Sequence, residues 1–224
     1  MSRNKTSTTA LNSKGIWAVV LAAGESKRMG EPKLLLPLAG RTMIEAVVEQ
    51  ALASRAERTV VVLGAERERI EAALCRFPVD IAFNPGYKSG MLSSAIRGIK
   101  ALPGSAHAAL ILLADQPFIT SRVIDAVIAA HEKTHKGIVL PVHGGRRGHP
   151  LLLDMKYREE IGRLNPEVGL KELLRRHPGD IHEVPVLDTA VLRDIDNRDD
   201  YLLAKYGEAL RQNGRKSPRL RQKK

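Results

Sequence analysis

Residues 21–37 read Leu-Ala-Ala-Gly-Glu-Ser-Lys-Arg-Met-Gly-Glu-Pro-Lys-Leu-Leu-Leu-Pro. The small residues Ala22, Ala23 and Gly24 let backbone N–H groups approach an anion closely, and Leu21 leads into them from an apolar run. Two cations follow within reach. Arg28 offers a planar fork suited to paired phosphate oxygens, and Lys33 offers a compact point charge. The chemistry of such a loop is the handling of phosphate. It is not a Walker loop, since no Gly-Lys-Ser/Thr follows Gly30, and it lacks the Gly-x-Gly-x-x-Gly spacing of a dinucleotide fingerprint. Pro32 and Pro37 bias the segment toward an extended path instead of an immediate helix. On composition alone, an ordinary glycine-rich loop with surface charges fits about equally well.

Carboxylates supply the complementary chemistry. Asp115 comes just past the apolar run 108–113, and Asp196 lies in Asp194-Ile-Asp196. A hard cation such as Mg²⁺ takes one or two carboxylates together with phosphate oxygens. A nucleoside triphosphate brings about four negative charges near neutral pH. A third constellation is Gly148-His149-Pro150, which follows the basic turn Gly144-Gly-Arg-Arg147. The backbone there can approach a ligand, and His149 can donate a hydrogen bond; the plain alternative is a histidine that caps a turn.

Three other features are weaker. His131-Glu-Lys-Thr-His135 has zinc-protease spacing, but it falls at the far end of a helix that leaves the Asp115 loop, and Gly137 is expected to end that helix. Cys75 adjoins an apolar stripe and has no Cys-x-x-Cys partner, so a buried small side chain is expected. Met91 belongs either to the core or to a ligand pocket.

The elements that must position these residues alternate between two patterns. Residues 16–21, 59–63, 79–83, 108–113 and 137–142 are strand-like apolar runs, and 151–153 is a further strand. Between them run stripes of helical spacing: Ile44, Val47, Val48, Ala51, Leu52; then Ile70, Ala73, Leu74, Phe77; then Leu92, Ala95, Ile96, Ile99; then Val123, Ile124, Val127, Ile128. Thr42-x-x-Glu45 has capping-box spacing, Thr120 or Ser121 is expected to cap the helix after Asp115, and a terminal helix is expected from near Asp199. Unbroken apolar strands alternating with helices predict one three-layer, Rossmann-like α/β domain with a mostly parallel sheet. In such sheets ligands bind beyond the carboxyl ends of the strands, where Gly24 and Asp115 fall.

Composition narrows the class. The 224 residues carry a formal charge of +11, of which seven positive charges lie in residues 211–224 and three in 1–15 without an acid in either stretch. The body, residues 16–210, is nearly neutral, and both ends read as disordered polar segments. With aromatic residues at 4%, no basic–aromatic surface for stacking bases is apparent, so nucleic acid is not an expected partner. One cysteine excludes an internal disulfide framework, and no apolar run approaches the ~20 residues of a membrane span. A cytoplasmic location is expected.

The segment 21–33 resembles the signature Leu-Ala-Ala-Gly-x-Ser-x-Arg-Met-Gly-x-x-Lys of the nucleotidyltransferase family that includes the molybdenum cofactor cytidylyltransferases. Asn84-Pro-Gly-Tyr-Lys-Ser-Gly-Met-Leu-Ser-Ser94, Leu113-Ala-Asp-Gln-Pro117, Gly148-His-Pro150 and Asp194-Ile-Asp196 resemble its later segments in the same order. The resemblance implies a nucleotide-diphospho-sugar transferase type of fold. It implies nucleotide binding by Leu21, Ala22, Ala23, Gly24, Arg28, Lys33, Gly90, Ser93 and Ser94, catalysis by Arg28, Lys33 and Asp115, and Mg²⁺ held by Asp115 and Asp196. His149 would meet the acceptor. The implied reaction transfers CMP from CTP to the terminal phosphate of a molybdopterin-type acceptor with release of pyrophosphate, the product passing to a molybdoenzyme or its chaperone. Ala22-Ala23-Gly24 resembles the cytidylyl type, whereas guanylyl enzymes usually read Ala-Gly-Gly. One segment departs: Asn165-Pro-Glu-Val-Gly-Leu-Lys171 stands where the family usually has Gly-Asp-x-Gly-Ala-Arg. The alternatives are GTP, a sugar or alcohol phosphate acceptor, or a nucleotide-binding accessory protein without catalysis; intact Lys33, Asp115 and Asp196 favour an enzyme.

Overall fold

The computed structural model describes residues 13–214; the opening residues 1–12 and the basic residues 215–224, both expected to be disordered, lie outside it. Strand β1 (Ser13–Ala22) is followed by a long loop containing the two-residue strands β2 (Pro37–Leu38) and β3 (Arg41–Thr42), then α1 (Met43–Leu52). Next come β4 (Ala56–Leu63), α2 (Arg67–Leu74), β5 (Asp80–Phe83), α3 (Met91–Ala101) and β6 (Ala108–Leu113). The second half holds α4 (Ser121–Thr134), β7 (Ile138–His143), β8 (Arg146–Arg147), β9 (Leu151–Asp154), α5 (Arg158–Ile161), α6 (Leu170–Arg176), β10 (Ile181–Pro185) and α7 (Arg198–Gly214). Thus β1 takes in Ser13 to Gly15 and α7 runs on to Gly214, so regular structure extends beyond residues 16–210 at both ends. No helix among the described residues is long and apolar enough to cross a membrane.

The main sheet has the order β5-β4-β1-β6-β9-β7-β10, with β8 paired to β7. Along that order all neighbours are parallel except those of β9, which runs antiparallel to both β6 and β7, and β8 pairs antiparallel with β7. The unbroken apolar runs are explained by burial on both faces. In β1 and β6, Ala18, Val20, Ala22, Ala108, Leu110 and Leu112 face one core with α1, α2 and α4. Their alternates Trp17, Val19, Leu21, Ala109, Ile111 and Leu113 face a second core with α3, α5 and α6. Three layers result.

The connections decide where a ligand can enter. From β1 the chain moves outward through β4 to β5, then crosses back by α3 to β6 on the other flank of β1. That reversal is a switch point, and it opens a crevice beyond the carboxyl ends of β1 and β6. Register keeps the two ends level, with Leu21 paired to Leu113 and the Ala114 N–H donating to the Leu21 carbonyl at 3.2 Å.

Local signals were mostly obeyed. Thr42 forms the capping box of α1: its N–H donates to the Glu45 carboxylate at 2.7 Å, and its hydroxyl accepts from the Glu45 N–H at 3.4 Å. Three expectations are corrected. Thr120 is the N-cap residue of α4 but makes no side-chain cap; Gln50 Oε1 accepts the Ser121 N–H at 2.8 Å instead. That helix ends at Thr134, with His135 in the left-handed conformation, two residues before Gly137. Cys75 is exposed, because it lies just past the last turn of α2 and not on its buried stripe.

A cluster beneath α5 ties β10 to the sheet. Asp180 accepts from Tyr157 at 2.5 Å and pairs with Lys156 at 2.8 Å. Burial opposes its ionisation, but these bonds and the Gly137 N–H outweigh it and hold the Asp180 carboxyl at about 2, below its ordinary 3.8. A carboxyl depressed on folding stabilises above its unfolded pKa and loses that contribution as pH falls through the folded one. Asp180→Asn is therefore expected to cost roughly 1–2 kcal/mol at neutral pH. In urea unfolding across a pH series, its deficit against the parent should shrink between about pH 4 and pH 2.

Candidate functional site

The crevice at the switch point is a cleft of about 370 Å³ whose lining includes Leu21, Ala22, Gly24, Arg28, Lys33, Asp115, Asp194 and Asp196. Leu21 and Ala22 end β1, and the others come from the loops that follow β1 and β6 or from the segment leading into α7. The loop after β1 turns at Ser26 and Gly30, both in the left-handed region, and makes two short 3-10 turns without opening an α-helix. This is the extended course that Pro32 and Pro37 forecast. Ser26 Oγ accepts the Lys33 N–H at 3.3 Å and closes the loop.

Lys33 is the centre. Its ammonium donates to Asp115 Oδ2 at 2.8 Å, to the Ile195 carbonyl at 3.0 Å and to Asp196 Oδ1 at 3.3 Å, with the side chain 14% exposed. Arg28, far more exposed, pairs with the same Asp196 oxygen at 3.1 Å. The backbone joins in, since the Ile195 N–H donates to the Asp115 carbonyl at 2.9 Å. The four residues expected to carry phosphate and metal chemistry therefore converge.

Two partners escaped sequence reasoning. Asp194 also lines the cleft, and Gln116 Nε2 donates to it at 2.6 Å. Burial, followed by the charges of Asp115 and Asp196, raises the Asp194 pKa, with the Gln116 bond and Lys33 opposing. The Asp-x-Asp spacing was the available signal.

Other expected nucleotide contacts sit elsewhere. Ala23 is buried beneath the loop, where its carbonyl accepts from Ala65 at 3.3 Å. Gly90, Ser93 and Ser94 lie at the start of α3. Gly90 has φ 102° and ψ 174°, a region essentially restricted to glycine. Asn84 Nδ2 donates to Ser93 Oγ at 2.9 Å and Ser94 Oγ at 3.0 Å, and Ser93 lines a separate surface hollow with Phe83 and Arg97. Met91, 60% exposed, is the residue of this segment that reaches the cleft.

Met91 also borders a larger cavity of about 770 Å³, lined by His149, Leu140, Leu151 and the departing segment 166–171. Gly148 is required there, because a Cβ would lie 2.2 Å from the Val191 carbonyl oxygen. That contact and the His149 N–H bond to the same carbonyl, at 3.1 Å, fix the histidine. Burial lowers the His149 pKa to about 4, against the opposing charge of Asp115. The ring is neutral at pH 7, and among the described residues no side chain hydrogen-bonds it. His131 lines neither cavity and bonds the Lys136 carbonyl at 2.9 Å.

The charge balance tests the fit of a divalent cation. Lys27, Arg28 and Lys33 face Asp115, Asp194 and Asp196 across the cleft, so the lining alone offers a polyphosphate no net attraction. The oxygen donors are hard, as Mg²⁺ prefers. Among the described residues no three His, Cys, Asp or Glu side chains are placed to enclose a metal. A cation here would take Asp115 and Asp196 and complete its shell with water and phosphate oxygens.

A doubly covered, mostly parallel sheet with a phosphate-type loop and paired carboxylates at its switch point defines an α/β nucleotidyltransferase fold of the nucleotide-diphospho-sugar transferase type. The chain belongs to the MobA-like NTP transferase family, whose profile matches residues 18–181. It is 30% identical over 189 residues to nicotine blue oxidoreductase of Paenarthrobacter nicotinovorans, covering 81% of this chain and 92% of that protein. It is 29% identical over 189 residues to the molybdenum cofactor cytidylyltransferase of Escherichia coli, covering 84% and 94%. Rv0371c of Mycobacterium tuberculosis superposes with a TM-score of 0.77 at 26% identity over 86% of this chain and 97% of that one. Its structure in complex with manganese superposes at 0.73, with 25% identity over 86% and 98%. The expected family and fold are thus borne out.

The Lys33 bridge makes a quantitative prediction. Lys33→Met removes the cation between two carboxylates and is expected to destabilise by roughly 1–3 kcal/mol in urea unfolding. Asp115→Asn should cost much less in the Lys33→Met background than in the parent, leaving a coupling of roughly 0.5–3 kcal/mol in the double-mutant cycle.

Proposed function

We propose that the protein is a Mg²⁺-dependent cytidylyltransferase of the cytoplasm that transfers CMP from CTP to the terminal phosphate of a molybdopterin-type acceptor. The observation that carries the reading is Lys33 held against Asp115 and Asp196 at the mouth of a loop built for phosphate. The 29% identity to a molybdenum cofactor cytidylyltransferase over nearly the whole of both chains supports the substrate pair, as does Ala22-Ala23-Gly24. A relative crystallised with manganese supports a divalent cation.

An acceptor phosphate oxygen attacks the α-phosphorus of CTP, a new P–O–P link forms, and the bond to the β-phosphate oxygen breaks to release pyrophosphate. The acceptor phosphate is largely ionised at neutral pH, so no general base is required. Lys33 swings its ammonium from the carboxylates to the α-phosphate oxygens, and Arg28 forks around the departing phosphates. Asp115 and Asp196 would hold a divalent cation, which would supply charge neutralisation on the polyphosphate. Catalysis is positioning plus electrostatic stabilisation. His149, neutral at working pH, donates one hydrogen bond to the acceptor.

A second reading, oxidoreductase activity in the same clefts, rests on the 30% identity to nicotine blue oxidoreductase. One assay separates the two. The four nucleoside triphosphates are offered with molybdopterin, sugar phosphates or alcohol phosphates and pyrophosphate release is followed, while a parallel reaction offers a reduced nicotinamide nucleotide with a quinonoid dye as electron acceptor and follows its oxidation. Pyrophosphate release with CTP and molybdopterin is expected; nicotinamide oxidation without pyrophosphate would overturn the transferase reading. Asp115→Asn should fold and lose on the order of 10²–10³ in turnover. His149→Ala should raise KM for the acceptor and leave that for CTP nearly unchanged.

A further inference from the structure

A hollow of about 290 Å³, which shares no lining residue with the Lys33 cleft or the His149 cavity, lies where α1 and the β2–β3 hairpin meet the segments that follow Gln116 and precede Asp194. Its lining carries an excess of hydrogen-bond donors. Arg41 and Arg193 bring two guanidiniums, and Asp188 is the acid among the lining residues, with one oxygen already accepting the Ala190 N–H at 2.9 Å. The Arg193 guanidinium sits over the Phe118 ring, 4.3 Å from its centre. Seated there, it keeps its in-plane N–H groups for an anion. Among the described residues the Arg193 guanidinium makes no hydrogen bond or ion pair. Arg41 is held at one end by Glu49, while its Nε is enclosed without a hydrogen-bond partner among the described residues. Thr120 occupies the N-cap position of α4, yet its hydroxyl makes no cap, because Gln50 Oε1 takes the Ser121 N–H at 2.8 Å. The Thr120 hydroxyl and the Gln50 amide N–H groups are thereby left without a partner among the described residues, and both side chains belong to the hollow.

We propose that this hollow binds a small phosphate-type oxyanion, at a site separate from those that would hold the nucleotide and the acceptor. Arg41, Gln50, Thr120 and Arg193 are all half-buried, and polar groups withdrawn from water ordinarily find partners. An oxyanion supplies them, and bonds from a guanidinium to an ionised oxygen belong to the stronger class. Charge favours the same occupant, since two guanidiniums on the lining stand against one carboxylate, whereas the cations and acids of the Lys33 cleft cancel. The donors arrive from β3, α1, the start of α4 and the segment before Asp194. A tetrahedral ion, with oxygens in every direction, suits that spread better than a planar carboxylate. The volume falls just below the range of roughly 300–1,000 Å³ usual for larger ligands. An ion here would brace the two segments that carry the acids of the cleft, because Phe118 and Thr120 follow Asp115 and Arg193 adjoins Asp194.

Phenylglyoxal, which modifies accessible arginines, tests the proposal on the full-length protein without any substitution. Modification is read arginine by arginine by peptide mass spectrometry as inorganic phosphate is titrated in, with ionic strength held constant by sodium chloride. Phosphate is expected to slow modification of Arg41 and Arg193 saturably, with a roughly millimolar Kd, and to leave the exposed Arg163 unaffected. Arg28 reports the Lys33 cleft in the same digest, so phosphate bound there is read separately. The midpoint of protection at Arg41 is expected to rise about tenfold in Arg193→Gln. It should rise about threefold in Thr120→Val, which removes a hydroxyl that bonds nothing among the described residues and so spares the fold. The absence of saturable protection at Arg41 and Arg193, protection of Arg28 alone, or a midpoint unchanged in both variants would each overturn the proposal.

Discussion

The ammonium of Lys33 holds together three segments that lie far apart in the chain, with Asp115 and Asp196 separated from it by 82 and 163 positions. Two carboxylates brought this close repel one another, and a cation between them removes the penalty. The gross attraction is on the order of 4–6 kcal/mol per pair at an effective dielectric near 20, much of it offset by desolvation. The bridge also has a backbone counterpart in the bond from Ile195 to the Asp115 carbonyl. Everything upstream serves this meeting: β1 and β6 end level with one another, and the segment before α7 closes over both.

That arrangement explains a loop rich in cations that nonetheless forms a neutral cleft. Lys33 is occupied by carboxylates, and on the proposed function it would turn to phosphate oxygens when an anion with its own cation arrives. Gln116 supports the third acid, Asp194, from a buried position, and its carbonyl oxygen has no hydrogen-bond partner among the described residues. Among the described residues the larger cavity and the cleft share Met91, and on the proposed function the two substrates would have separate walls and that shared edge.

The sequence made β1, β6 and α1 readable because their constraints are local and two-sided. Burial on both faces forces unbroken apolar runs in 16–21 and 108–113, and Thr42 and Glu45 announce the start of α1. Strand ends then placed Gly24 and Asp115 at the ligand side, with Arg28 and Lys33 in the loop that begins at Gly24, whereas Asp196 was identifiable through the resemblance to the nucleotidyltransferase segments. The second half was harder. Strand β10 is half-buried and closes on Pro185, while α5 and α6 span four and seven residues, too short to show helical periodicity. The antiparallel course of β9 depends on pairing with both β6 and β7, which no local pattern records. Cys75 failed for a geometric reason: adjacency to a buried stripe says nothing once the helix has ended. Asp194 stood two positions from a recognised residue, and extended backbone carries residues two apart to the same face, so the Asp-x-Asp spacing was a signal that went unread.

The central claim is that Lys33, Asp115 and Asp196 form the seat of a metal-bound nucleotide. Electron–nuclear double resonance on protein labelled with ¹³C at the aspartate carboxyls, loaded with Mn²⁺ and CTP and freed of unbound Mn²⁺–CTP, tests it most directly, through the couplings of the manganese to the carboxyl carbons and to the phosphorus nuclei. The account predicts ¹³C and ³¹P couplings together in the parent, with the protein-bound manganese signal lost in the Asp196→Asn protein. Protein-bound manganese with a ³¹P coupling but no ¹³C coupling in the parent, or the parent's couplings unchanged in that variant, would contradict it.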